Sequence, residues 1–332
     1  MYGLDVLVQK VLLMGALVII GFIMRKCNKL GGSVAKSFGD GVIYIAQPAM
    51  IIYSFLDVDF NTRTLITASV VLGFSLIFHL IYFLVAFNLY KNAPEKQKTV
   101  LRFATIFTNA GFMGIPLISE LISPEAAIYA TFYVIGFNVY CWTLGSYLYT
   151  KDKKYISIKK LLVNPSIIPT YFGLAFYLIG GLCTMPGFMR PIIDNILIPV
   201  MQNDVLYLAK CSIMPLSMLM IGIRLAESSF KTMFKDKYLP LYIIVRLILI
   251  PLGIMAVMKL ILTLGIIPSS VIIPAATVIV ISSSTPAAAM ANIFAERYNG
   301  DAIYASKIVS VSTLISMFTM PLIAALLSIV IK

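Results

Sequence analysis

The feature that most restricts this chain is a series of apolar stretches about as long as a bilayer is thick, joined by short polar connections. A helix crosses lipid with roughly 20 apolar residues. The 332 residues leave room for about ten such crossings. Charged residues make up only 12% of the chain, against roughly 25% in soluble domains. The expected fold class is therefore an all-α membrane protein. A net charge of +12 would suggest nucleic acid in a soluble chain. Here it reads as lysine and arginine kept on the cytoplasmic side, and no nucleic-acid partner is expected.

Span 1 is expected from about Asp5 to Met24 and span 2 from about Asp40 to Leu56, kinked near Gln47-Pro48. Span 3 covers about Leu65 to Tyr90, span 4 about Val100 to Ile122, and span 5 runs from Pro124 to about Tyr149. Span 6 opens at Asn164-Pro165 and ends near Gly180-Gly181. Met189 to Asn203 reads as a short interfacial helix or irregular lead-in, and span 7 follows to about Ile223. Span 8 covers about Tyr238 to Leu264, span 9 about Ser270 to Ala295, and span 10 about Ile303 to Ile331. The apolar core of span 1 ends at Arg25-Lys26 rather than at small residues, so it reads as a retained helix and not a cleaved signal.

The basic residues test this count. Arg25, Lys26, Lys29 and Lys36 follow span 1; Lys91, Lys96, Lys98 and Arg102 follow span 3. Lys151, Lys153, Lys154, Lys159 and Lys160 follow span 5; Arg224, Lys231, Lys235 and Lys237 follow span 7. Arg297 and Lys307 follow span 9. The odd-numbered connections are thus expected in the cytoplasm, with both termini outside the cell membrane. Five spans per half give the halves opposite orientations. Residues 1–150 and 164–332 would form inverted repeats joined by the basic linker 151–163.

The fourth span of each half is interrupted. Span 4 contains Thr108-Asn109-Ala110-Gly111-Phe112-Met113-Gly114-Ile115-Pro116, and span 9 contains Ser282-Ser283-Ser284-Thr285-Pro286 followed by Ala287 to Asn292. Proline removes a backbone donor and clashes with the preceding turn. Glycine adds freedom that a helix must give up. In lipid such breaks persist only where protein or a water-lined cavity covers them. Paired breaks in two halves are the sequence mark of a secondary transporter's binding site. The second half of each broken helix presents free N–H groups and the positive end of its dipole, which suits a carboxylate. Asn109, Ser283, Ser284, Thr285 and Asn292 are expected to add neutral donors, while Gly111, Gly114 and Ala287 to Ala289 allow close approach. Proline kinks are also common in membrane helices; two breaks at equivalent positions favour the site.

The stretch Asn109 to Leu117 resembles the fourth-helix motif of the auxin efflux carrier family, which includes plant PIN-formed carriers and bacterial malate or malonate permeases. Asn138 and Trp142 stand where plant members have an amide and a tryptophan, and Asn164-Pro165 resembles the pair opening their sixth helix. Ile293 to Tyr298 resembles the segment closing their ninth. The resemblance implies crossing helices 4 and 9, a dimerising scaffold from helices 1, 2, 6 and 7, and a mobile transport domain from helices 3–5 and 8–10. It implies elevator transport as a homodimer, with Pro116 at the crossing and with Asn138 and Asn164 beside the substrate, whereas Pro286 lies earlier than the family's ninth-helix proline. The plant carriers' ninth-helix proline aligns with Ala291, and their long loop is reduced here to Thr150 to Val163. A small carboxylate carrier of bacterial type fits these departures.

Arg246 in span 8 reads either as a counter-ion for the substrate or as a cation held by a carbonyl or the interface. His79 is the single histidine, so no histidine metal site is expected. No cofactor is expected, and coupling to protons or sodium stays open. No GxxxxGK[ST] or HExxH occurs, which argues against a P-loop pump or zinc peptidase. A sodium-coupled symporter of the bile-acid type and a non-transporting sensor are the competing readings.

Overall fold

The computed structural model describes residues 4–152, 154, 156, 163, 167–182, 205–227 and 236–331. The expected features at Asn164-Pro165 and Met189 to Asn203, and Lys153, Lys159, Lys160, Lys231 and Lys235, lie outside the described residues. Regular structure among the described residues is helical, apart from one isolated β-bridge.

The helices are α1 (Leu4–Lys26), α2 (Gly32–Gly41), α3 (Gln47–Leu56), α4 (Thr62–Leu89), α5 (Glu95–Ile106), α6 (Ile115–Leu121), α7 (Pro124–Tyr140) and α8 (Ser146–Thr150). They continue as α9 (Ile168–Leu182), α10 (Leu206–Cys211), α11 (Ile213–Glu227), α12 (Leu239–Ile243), α13 (Ile250–Leu264), α14 (Ser269–Ser284), α15 (Met290–Arg297) and α16 (Ala302–Val330). Single π-helical turns join α2 to α3 (Val42–Ala46), α7 to α8 (Cys141–Gly145) and α12 to α13 (Ile244–Leu249), and a fourth (Ala110–Gly114) leads into α6. Among the described residues, five segments are long and apolar enough to cross a membrane: Thr62–Leu89, Glu125–Thr150, Leu206–Glu227, Leu239–Thr263 and Ala302–Val330.

Local chemistry sets the helix ends. Asn61 accepts the Arg63 amide at 2.8 Å and opens α4. Ser123 accepts the Ala126 amide at 3.3 Å, with Pro124 in the first turn of α7. Both are side chains that satisfy an orphan first-turn N–H. Gly265, with φ +65°, ends α13 in the left-handed conformation that glycine adopts without strain. One expectation changes: residues 32–39, read as a basic loop, begin the second span early as α2. The cause is packing, because α2 lies on α11 and Gly39 faces Met220.

Two packing groups result. In one, α1 packs on α11, α11 on α2, and α3 on α9 and α10. In the other, α4 packs on α7 and α14, and α14 on α13 and α16. Contacts of α3 with α7, and of α1 and α11 with α16, connect the groups. Exposed apolar side chains line the outer faces, among them Leu12, Ile19, Ile77, Leu84, Leu260, Phe318 and Leu322. In water such a surface would aggregate; in a bilayer it is the lipid-facing side.

Outside the apolar segments, Asp236 ties the start of α12 to α16. Its carboxylate accepts the Tyr238 amide at 2.8 Å and pairs with Lys307 at 3.2 Å. Burial opposes the charge, but the donors from Tyr238, Tyr304 and Lys307 prevail and hold the carboxyl below its usual range. A depressed carboxyl stabilises the fold above its unfolded pKa, about 3.9 for aspartate. That contribution fades as pH falls through the lower folded value. Asp236→Asn is expected to cost about 1–3 kcal/mol at pH 7. The deficit should shrink in thermal unfolding below about pH 4.

Candidate functional site

The two interrupted segments cross each other. The Asn109 amide donates to the Pro286 carbonyl at 2.8 Å, and the Ala288 amide donates to the Phe107 carbonyl at 3.0 Å. Thr108 and Ala287 thereby form an antiparallel bridge. The Ala287 amide is taken by Ser312 Oγ of α16 at 3.2 Å. Each break thus supplies hydrogen-bond partners that the other lacks, which is how non-helical backbone survives away from water. Gly114 lies against Thr285, so the two chains meet without a large side chain between them.

A cavity of about 190 Å³ opens beside the crossing. Gly111 and Phe112, from the start of the second half of the fourth span, line one part. Ala288, Ala289 and Met290, from the start of α15, line another. Asn109 and Asn138 add amides; Phe137, Trp142 and Tyr44 add aromatic walls; Arg297 is the charged side chain. Three π-helical turns contribute residues: Ile43 and Tyr44, Gly111 and Phe112, and Trp142. Such turns insert a residue, re-aim the helix face, and recur at functional sites. A larger cavity of about 460 Å³ shares Tyr44, Asn109, Phe112, Ala289 and Arg297. It extends past Asn292 towards Lys36, Asp40, Arg224 and Glu296.

The residues singled out from the sequence therefore divide. Asn109, Gly111, Asn138 and Asn292 line a cavity. Asn138 donates one amide hydrogen to the Val134 carbonyl at 2.9 Å. Gly114, Pro116 and Pro286 line neither cavity and instead shape the crossing. Asn164 lies outside the described residues. Ser283, Ser284 and Thr285 depart from expectation: their hydroxyls donate to Val280, Ile281 and Ser282 carbonyls, each at 2.8 Å. All three are buried and line neither cavity. A buried hydroxyl takes the nearest acceptor, here the carbonyl three residues earlier in its own helix.

Of the two readings left open for Arg246, the structure matches the cation held by carbonyls rather than the counter-ion. Arg246 is 0% exposed and lines neither cavity. Its Nη1 donates to the Ser283 carbonyl at 2.7 Å and its Nη2 to the Thr285 carbonyl at 3.4 Å. His79 is buried among Tyr82, Phe107, Tyr133, Phe137 and Tyr140, with Nδ1 2.7 Å from the Ser75 carbonyl. It lines neither of these two cavities. Lys210 lies over the Tyr53 ring at 3.5 Å, which gives it a structural role.

Gln47 was read only as part of a kink. It is 2% exposed, lines the smaller cavity, and its Oε1 has no partner among the described residues. A Cβ on Gly111 would come within 2.8 Å of its Nε2. The available signal was a glutamine inside an apolar span, because an unsatisfied buried amide is expensive.

A family model for membrane transport proteins, the auxin efflux carrier family, matches residues 6–324. The chain belongs to this family. It is a multi-pass membrane transporter by that membership and by its apolar helices. A comparison with curated proteins gave no match.

Proposed function

We propose that this transporter carries small organic anions across the cell membrane, holding the substrate carboxylate at the crossing. The carrying observation is that both second half-helices begin at the wall of one cavity, with Asn109 between them. Helix starts offer N–H groups and positive potential to an anion. The neutral amides of Asn109, Asn138 and Gln47 supply hydrogen bonds, and Phe112, Phe137 and Trp142 suit an apolar body on the acid.

In this reading ten spans form two inverted repeats, 1–150 and 164–332, joined by 151–163. The group built on α1, α2, α3, α9, α10 and α11 is the dimerising scaffold. The group built on α4–α8 and α12–α16 moves past it as an elevator. The separate packing groups support this division. Gln47 faces the substrate from the scaffold side, and the larger cavity is the route to the cytoplasm.

Uptake of labelled malate, malonate and indole-3-acetate into proteoliposomes tests the reading. Saturable uptake of one of them is expected, and no uptake of any organic anion tried would remove the proposal. Gln47→Leu is expected to raise KM about 5–10-fold with the protein still folded, the cost of one neutral hydrogen bond. An unchanged KM would place Gln47 outside the binding contacts.

A further inference from the structure

Arg246 occupies a place with its own chemistry. The carbonyls of Ser283 and Thr285 stand where α14 ends and the second break begins. The last carbonyls of a helix lack partners within it and carry the negative end of its dipole. In transporters built on broken helices, such half-helix carbonyl ends coordinate the sodium ion or proton that couples transport. Here the guanidinium donates to both carbonyls and is fully buried. Among the described residues no carboxylate pairs with it.

The arginine reaches this place from the π-helical turn Ile244–Leu249, on a neighbouring span packed against α14. The Pro286 carbonyl, one residue beyond its contacts, accepts the Asn109 amide. The guanidinium therefore adjoins the hydrogen bonds that join the two breaks. A side chain that cannot deprotonate holds these carbonyls permanently, whereas a bound ion would come and go with each cycle.

We propose that Arg246 is the built-in cation of the crossing, holding the carbonyl end of α14 in place of a coupling sodium ion. This inference rests on the carrier reading above. Transport at this crossing then needs no sodium ion, and Arg246 is a positioning residue that never touches substrate.

The test compares thermal unfolding and uptake in sodium chloride and in choline chloride at equal ionic strength. Wild type is expected to show the same midpoint and the same uptake rate in both salts. Arg246→Lys, which keeps the charge, should stay within a few degrees of wild type. Arg246→Ala should lose at least about 5 °C, as expected for uncovering buried carbonyls, and should regain part of that loss in sodium but not in choline. A midpoint equally low in both salts would mark a merely structural arginine and overturn the proposal. Sodium-dependent uptake by wild type would overturn it too. If Arg246→Ala does not fold, the wild-type salt comparison still decides. Absence of uptake in every salt would count against the carrier reading, while the unfolding midpoints would still report on Arg246.

Discussion

Asn109→Ala is expected to cut uptake more than about tenfold, because a hydrogen bond to a charged partner contributes about 1.5–3 kcal/mol. The substitution separates site from scaffold. The backbone of residue 109, not its side chain, makes the bond to Pro286 and accepts the Met113 and Gly114 amides at 3.0 and 3.2 Å. Alanine keeps all three, and the φ of −80° there suits it. The protein should therefore elute and melt like wild type while substrate binding fails. Proteoliposome uptake beside a thermal melt checks this. Wild-type transport by the alanine variant would show that the crossing is not where substrate sits.

Gly222→Val is expected to destabilise the fold by about 3 kcal/mol or more, through overpacking of backbone against backbone. Where α11 crosses α1, a Cβ at Gly222 would overlap the Val18 carbonyl oxygen and lie 2.9 Å from the Phe22 nitrogen. Gly21 faces the opposite helix almost as closely, with the Leu219 carbonyl oxygen 2.5 Å from the position of a Cβ. Backbone atoms cannot swing aside as a side chain can, so the helices must part and lose contact along their length. Small residues at membrane helix crossings permit this approach. Gly253→Ala is the control, since a Cβ there meets no atom within 4 Å. Yield and melting temperature in detergent should fall for Gly222→Val and hold for Gly253→Ala. Equal stability of the two variants would mean that the α1–α11 contact does not hold this group together.

Both expectations rest on features that differ in how legible they were. The breaks at Asn109 to Pro116 and at Ser282 to Asn292 were visible as proline and small residues inside apolar runs, and they do meet. Gly222 gave no such sign, because a glycine in an apolar helix looks alike whether it faces lipid or another backbone. Among the polar residues of the breaks, Asn109 and Asn292 reach a cavity, while Ser283, Ser284 and Thr285 turn back onto their own helix. Residue type cannot separate these outcomes, since every one of these side chains can donate.

Arg246 and Gln47 show the same limit from opposite sides. An arginine in a membrane span allows either a counter-ion or a cation held by carbonyls, and only packing put it on carbonyls away from both cavities. A glutamine beside a proline invites only a kink, yet it faces the crossing. By itself the sequence determined that the chain lives in a membrane, where its apolar helices lie, where two of them break, and which transport family it resembles. These follow from local composition, because lipid demands apolar surface and prolines stop helices wherever they stand. Only the tertiary structure decided which polar groups face the cavity and which serve the backbone. That depends on the rotation of each helix about its axis, shifted by π-helical turns and fixed by packing between residues far apart in the chain.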